Sequence, residues 1–338
     1  MEYNGLIRAE IEKLLTEKLT AETGFRDLER QVLGWVRTAL SLDSIPAWPE
    51  VDYIAPLLML HVCGAVGGQP EKWLRLAAGV QILHQASVLF DDLQDQDQPN
   101  SHATHPEALS LALFLLSLGQ EVFFEEVANP KLLVGLFQTI SRGGRGQLLD
   151  VQELELPLHF RFNSPELYIQ KISLKTAGTG SYLARLGATL GGATPETVEV
   201  YARFGLNFSL SLHILDDLAD YLREAKQGCD LPNRFLTLVY IIAYQQLDPF
   251  KQKRVLELWG GKSEDGTELH DLLTSDTAVL QTLTLATRYL AQAEMELQSV
   301  DPDLKKPEHQ VLLGKLKSLI QRLYTYFSLR SENLVNRR

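Results

Sequence analysis

Leu76-Ala77-Ala78-Gly79-Val80-Gln81-Ile82-Leu83-His84-Gln85-Ala86-Ser87-Val88-Leu89-Phe90-Asp91-Asp92-Leu93-Gln94-Asp95 reads as an apolar helix that ends in acid. The pattern returns once. Val198 to Leu215 is a second apolar run, and it ends in Asp216-Asp217-Leu218-Ala219-Asp220, 125 residues after the first pentad. In a helix, residues i and i+4 stand one above the other, so Asp91 projects with Asp95, and Asp216 with Asp220. Asp92 and Asp217 lie about 100° round the same turns.

Outward from these pentads the chain reads as helix after helix. Leu6, Ile7, Ile11, Leu14 and Leu15, then Leu28, Val32, Leu33, Val36 and Leu40, recur at three and four, the helical period. Pro46, Trp48 and Pro49 interrupt it, and a further helix is predicted from near Val51. Ser164-Pro165-Glu166 and Thr194-Pro195-Glu196 each set a hydroxyl, a first-turn proline and an early acid at a helix start. Gly191-Gly192 ends the helix between them, and Leu154 to Phe162 reads as a loop. Period-two runs rich in Val, Ile and Thr are missing. The prediction is all-α, one domain over residues 1–338, with the helices of 1–45 packing on the bundle.

The composition excludes several classes. A 338-residue chain with 45% hydrophobic and 22% charged residues is globular rather than disordered. A net charge of −11 argues against nucleic acid or an anionic lipid surface as partner. Cys63 and Cys229 are too few and too distant for a disulfide framework, which favours a reducing, cytoplasmic setting. Charges interrupt the first residues where a signal core would lie, and no run of about 18 apolar residues is free of charge, so no membrane span is expected.

The two pentads carry the chemistry. Like charges at i,i+4 and anions at a helix C-terminus both disfavour the helix, by tenths of a kcal/mol each. A divalent cation on the carboxylates removes both penalties. Oxygen ligands without His or Cys suit Mg²⁺, with Mn²⁺ as the alternative, and Mg²⁺ completes its shell with water and substrate phosphate. One acidic helix end is as readily a solvated surface; two, each closing an apolar helix, point to a phosphorylated ligand.

With these residues in view, the chain resembles the trans-type prenyl diphosphate synthases and their terpene synthase relatives. DDLQD and DDLAD match the paired acidic motifs. Arg145-Gly146-Gln147-Leu148-Leu149-Asp150 resembles the family's EGQ-x-LD segment, Lys175-Thr176-Ala177-Gly178 its KT-G segment, and Lys226 the lysine after the second motif. The resemblance spans about residues 50 to 240. It implies an isoprenoid synthase helical bundle with a central active-site cavity, and a homodimer. It also implies about three Mg²⁺ ions on Asp91, Asp92, Asp95, Asp216, Asp217 and Asp220, with Asp91, Asp95 and Asp216 foremost in catalysis. Lys175 and Lys226 would neutralise the departing pyrophosphate, and Gln147 and Thr176 would line the site. Small Ala86 and Ser87, one turn before Asp91, would leave room for a tail of C15 to C20 or longer. His213 stands where the family has glutamine; it reads either as a polar site group or as a packed core histidine. Phe90, Tyr182, Phe204 and Phe208 read either as cation-stabilising rings or as core.

Two departures bear on the reaction. The family's G-G-K-R-x-R-P segment is replaced by Val51-Asp52-Tyr53-Ile54-Ala55-Pro56, and its arginine pair after the first motif by Gln96 to His102, all without Lys or Arg. Burying a second, uncompensated diphosphate is costly. The sequence therefore predicts Mg²⁺-dependent ionisation of a linear allylic prenyl diphosphate with intramolecular capture of the cation, a class I terpene synthase on a prenyl-synthase-like scaffold. The alternatives are a prenyltransferase, acting on a peptide or indole acceptor or elongating with isopentenyl diphosphate, and a non-catalytic prenyl-diphosphate-binding subunit. Ala77 to Asp97 also resembles bacterial enzymes that prenylate a tryptophan of a peptide pheromone.

Overall fold

Gly79 and Gly119 decide how the helix that carries the first acidic pair is held. In the computed structural model, a Cβ on Gly79 would stand 2.7 Å from Val122 Cγ1, and one on Gly119 would run into Leu83 Cγ, so the two helices cross at near backbone contact. The structure describes residues 3–19, 34, 53–94, 105–153, 156–222, 235–260, 267–300, 314, 318 and 321–322, apart from the side chains of 19, 219, 220, 222, 260 and 267.

Among the described residues every regular element is helical. In chain order they are α1 (Tyr3–Leu19), α2 (Ile54–Ala65), α3 (Leu74–Gln94), α4 (His105–Glu126), α5 (Pro130–Glu153), α6 (Leu158–Arg161) and α7 (Pro165–Ile172). Then follow α8 (Gly178–Leu190), α9 (Pro195–Leu222), α10 (Leu238–Gln245), α11 (Pro249–Gly260), α12 (Thr267–Leu273) and α13 (Asp276–Gln298). A 3₁₀ turn, Pro70–Trp73, leads into α3, and a π turn, Ser173–Ala177, joins α7 to α8. Residue contacts sort the chain into two compact units, Met1–Gln138 with Tyr182–Tyr201 and Pro302–Gln310, and Thr139–Ser181 with Ala202–Asp301 and Val311–Arg338.

In the first unit α3 packs along α4, burying Leu76, Val80, Ile82 and Leu89 with Leu111, Leu115, Leu118 and Val122. The helical-period residues Ile7, Ile11, Leu14 and Leu15 of α1 are all buried, each contributing about 1.5–3 kcal/mol relative to exposure. Arg75 ties α3 to α1 and α4 through Glu17 and Glu125, both at 3.0 Å, and Lys18 reaches Glu121 and Glu125. Helix α4 is the one helix among those described that is long and apolar enough to cross a membrane; its buried face packs on α3.

In the second unit Phe162 stacks on Tyr244 at 4.4 Å and meets Trp259 edge-on at 5.0 Å. Ser211 on α9 donates to the Ala286 carbonyl of α13 at 2.8 Å. Gly180 lies against Ser209 and the Gly205 carbonyl, where a Cβ would sit 2.7 Å from the carbonyl oxygen, so the start of α8 rests directly on α9.

Local expectations are met unevenly. Proline opens both α7 and α9, and Gly192, at φ +86°, ends the helix before α9 as the Gly-Gly pair predicts. Thr194 Oγ1 accepts from the Thr197 amide at 3.3 Å, as a cap should. Ser164 does not cap: its hydroxyl donates back to the Phe160 carbonyl at 2.8 Å. The reason lies in the stretch read as a loop, where Leu158–Arg161 instead forms a short helix whose carbonyls reach Ser164 first. The helix predicted from near Val51 is described from Ile54, after Tyr53 in the left-handed region at φ 59°.

Candidate active site

Helix α9 brings Asp216 and Asp217 to its C-terminal end, both half-buried. Tyr168 of α7 donates from its hydroxyl to Asp217 Oδ2 at 2.6 Å, a short charge-assisted bond. One turn back, His213 holds Nε2 3.7 Å from Asp217 Oδ1, and its Nδ1 lies 3.4 Å from Thr176 Oγ1. This histidine lies between Asp217 and Thr176. Burial pushes the Asp217 carboxyl up to about 6, while the Tyr168 hydroxyl and the charges of Lys171 and Lys175 pull against it.

Asp150, at the end of the Gly-Gln-x-x-Asp stretch of α5, is shared by two ammonium groups. Lys171 Nζ lies 2.7 Å from its Oδ1 and Lys175 Nζ 3.0 Å from its Oδ2. Burial pushes this carboxyl up, but the two lysines outweigh it and hold it below its usual range. Gly146 makes the sharing possible. A Cβ there would stand 2.6 Å from the Lys175 amide nitrogen and 2.8 Å from its Cα, so only glycine lets α5 lie against the π turn. Gln147 follows it, half-buried.

The first acidic pair sits at the end of α3, with Asp91 and Asp92 half-buried. Ala86 is buried in the helix packing, and Ser87 is exposed with its hydroxyl bonded to the His84 carbonyl at 2.6 Å. Asp95 and Lys226 lie outside the described residues, as does the Asp220 side chain. Of the aromatic candidates, Phe204 and Phe208 are fully buried and pack on each other at 5.7 Å. The Tyr182 hydroxyl donates to the Leu132 carbonyl at 2.9 Å. These three are core residues.

Sequence reasoning missed Tyr168 and Lys171 as site residues. A weak signal was present: Tyr168, Lys171 and Lys175 are spaced three and four apart, and two lysines four apart repel by tenths of a kcal/mol, which a shared anion offsets.

Among the described residues no group of three His, Cys, Asp or Glu side chains is close enough to form a metal cage by itself. The donor set nevertheless fits Mg²⁺, which is held by one or two carboxylates plus substrate phosphates rather than by an all-protein cage. Asp217, largely withdrawn from water beside Asp216, is a carboxylate whose anionic form a cation would stabilise.

The all-helical architecture is that of the isoprenoid synthase fold, as solved structures show. A decaprenyl diphosphate synthase from Rhodobacter capsulatus superposes with TM-score 0.75 at 21% identity, covering 94% of this chain and 97% of that one. A geranylgeranyl pyrophosphate synthetase from Pyrococcus horikoshii gives TM-score 0.75 at 20% identity, covering 94% and 98%. The polyprenyl synthetase family profile matches residues 52–275, and the chain belongs to that family. Curated relatives include a geranylgeranyl diphosphate synthase from Sulfolobus acidocaldarius, 24% identical over 72% of this chain and 81% of the relative. Another is a short chain isoprenyl diphosphate synthase from Methanothermobacter thermautotrophicus, 23% identical over 62% and 68%.

Proposed function

We propose that this protein is a Mg²⁺-dependent prenyltransferase that ionises a linear allylic diphosphate and joins its prenyl tail to an acceptor, isopentenyl diphosphate foremost. The observation that carries the reading is the half-buried polar cluster in which Tyr168 bonds Asp217 and Lys175 pairs with Asp150. The names of the relatives favour transfer to a second diphosphate over the intramolecular capture expected from sequence.

Asp91, Asp92 and Asp95 of the first motif, and Asp216, Asp217 and Asp220 of the second, would hold the ions. Bound Mg²⁺ supplies charge neutralisation for the departing diphosphate. Lys175, with Lys226, donates to phosphate oxygens as negative charge gathers there. The allylic C–O bond breaks with its electron pair leaving on the diphosphate. The acceptor double bond then attacks the allylic carbon to form the new C–C bond, and the resulting cation gives up a proton to an oxygen of the released diphosphate. Tyr168 orients Asp217, and Gln147, Thr176 and His213 line the polar end. Apolar side chains keep water from the cation, with Ser87, exposed one turn before Asp91, leaving room for a tail of C15 to C20 or longer. A second copy of the chain covers the exposed apolar side chains of α4 and α5, giving a homodimer.

One observation favours a second reading, capture by the substrate's own double bonds or by an acceptor without a diphosphate. Residues 51–56 and 96–102 carry no Lys or Arg to seat a second diphosphate. Incubation with C10, C15 and C20 allylic diphosphates and Mg²⁺, with and without isopentenyl diphosphate, separates the two. A longer prenyl diphosphate formed only with both substrates supports elongation; hydrocarbon or alcohol from the allylic substrate alone supports the second reading. No pyrophosphate release from any of them removes both and leaves a binding subunit. Asp91→Ala and Asp216→Ala should each cut pyrophosphate release by about 10²–10³-fold with the circular dichroism unchanged. Full activity in either variant would remove that motif from the site.

A further inference from the structure

Gln81 and Gln85 of α3 are 0% and 2% exposed, yet their amides are not paired within the protein. Among the described residues, Gln81 Nε2 and Oε1 and Gln85 Oε1 meet no hydrogen-bonding group. A buried polar atom left this way forfeits the water it held in the unfolded chain, and most buried amides are bonded for that reason. Apolar side chains of the same shape would avoid the loss. What meets these atoms is a water or a ligand.

Their place on the helix favours a ligand. Asp92 follows Gln81 by 11 residues and Gln85 by 7, close to whole numbers of turns, so both glutamines lie within about 20° of Asp92. Gly79 and Leu83, which meet α4, stand on the other side of α3. Burial deepens along the stripe from its acidic end: Asp92 and Val88 are half-buried, Gln85 is nearly closed off and Gln81 wholly so. A molecule held at the first acidic motif and lying along this stripe reaches amides about 10 and 16 Å from Asp92.

The unpartnered atoms also select the chemistry. Two carbonyl oxygens need donors, and the Gln81 amino group needs an acceptor. An ammonium only donates and an ionised diphosphate only accepts, whereas a hydroxyl or an amide does both. We propose that Gln81 and Gln85 recognise an uncharged hydroxyl or amide on the acceptor, at the end remote from its reacting double bond. The proposal rests on the prenyl-transfer reading above and sides with its acceptors that carry no diphosphate. Bond making and breaking follow the steps given there.

The probes are isopentenol, which keeps the double bond of isopentenyl diphosphate and carries a hydroxyl in place of the diphosphate, and the amide of the same skeleton. Each is incubated with the full chain, Mg²⁺ and a C15 allylic diphosphate, and prenylated probe and pyrophosphate are measured. Wild type should prenylate at least one probe, and Gln81→Met/Gln85→Met should raise its KM about tenfold or more, the loss of two hydrogen bonds. Without substrate, that variant should unfold at a urea midpoint equal to or above wild type, because the atoms removed had no protein partner to lose. A lower midpoint, or a variant that does not fold, would mean that buried water completes the amides as part of the fold, and would overturn the proposal. An unchanged KM overturns it as well. Wild type that releases pyrophosphate, or elongates with isopentenyl diphosphate, but prenylates neither probe sinks this inference alone. No pyrophosphate release with any acceptor sinks the parent reading together with it.

Discussion

Asp150 answers to two lysines at once, and that sets how the second unit responds to acid. Its folded pKa lies below the unfolded value of about 3.9, so the stabilisation it provides is complete above that value and is lost as pH falls through the folded one. Asp150→Asn should therefore be less stable than wild type at pH 7, by about 3–5 kcal/mol, because two buried ammonium groups lose their shared partner. The gap should close as pH drops below about 4, read from urea midpoints at pH 7, 5 and 3. A constant gap would mean that the carboxylate charge is not what stabilises. Single residues of this network differ in how far sequence exposes them. Asp216 and Asp217 stand out because acids ending an apolar helix violate the helix dipole. Lys171 does not, because a lysine inside an amphipathic helix looks like a solvated one, and Asp150, which pairs with it, arrives on α5, whose approach no local pattern encodes.

That approach is a property of elements. Gly146 is glycine because the backbone of Lys175 lies against it, and Gly146→Ala has no flexible side chain to displace, only main chain. Overpacking of this sort costs about 1–3 kcal/mol, and here relief must push the π turn and its lysine outward. The expected outcome is a lower urea midpoint together with a raised KM for the allylic diphosphate. An unchanged KM would separate the packing from the site. Among the described residues the long helices were legible, since period and proline placement are local; the helix expected over Leu28 to Leu40 lies almost wholly outside them. Caps were legible only in part: Thr194 and Ser164 sit in the same Pro-Glu context, yet Ser164 is drawn to a carbonyl of the short helix before it. That helix is invisible to periodicity because four residues, Leu158–Arg161, are too few to show a period.

At the scale of the molecule, Leu109, Leu113 and Phe124 share one exposed face of α4, and Phe124 meets Phe137 of α5 at 5.8 Å. Exposed apolar side chains of this size gathered on one helix face make it a candidate interaction surface. Wild type should sediment at twice the 38.0 kDa of one chain, and Leu113→Glu/Phe124→Glu should sediment as a single chain. A monomeric wild type would assign this face to something else. Such a surface is hidden in sequence, because an exposed leucine and a core leucine obey the same period. The acidic pentads dominate any reading of the chain, yet where the first of them ends up is governed far from its own carboxylates. At Gly79 and Gly119 a hydrogen in place of Cβ leaves the room that Val122 and Leu83 fill where α3 crosses α4. A single codon change at either would wedge a methyl or more into that crossing, so this lineage could lose its chemistry by drift while every acid and every lysine survived intact.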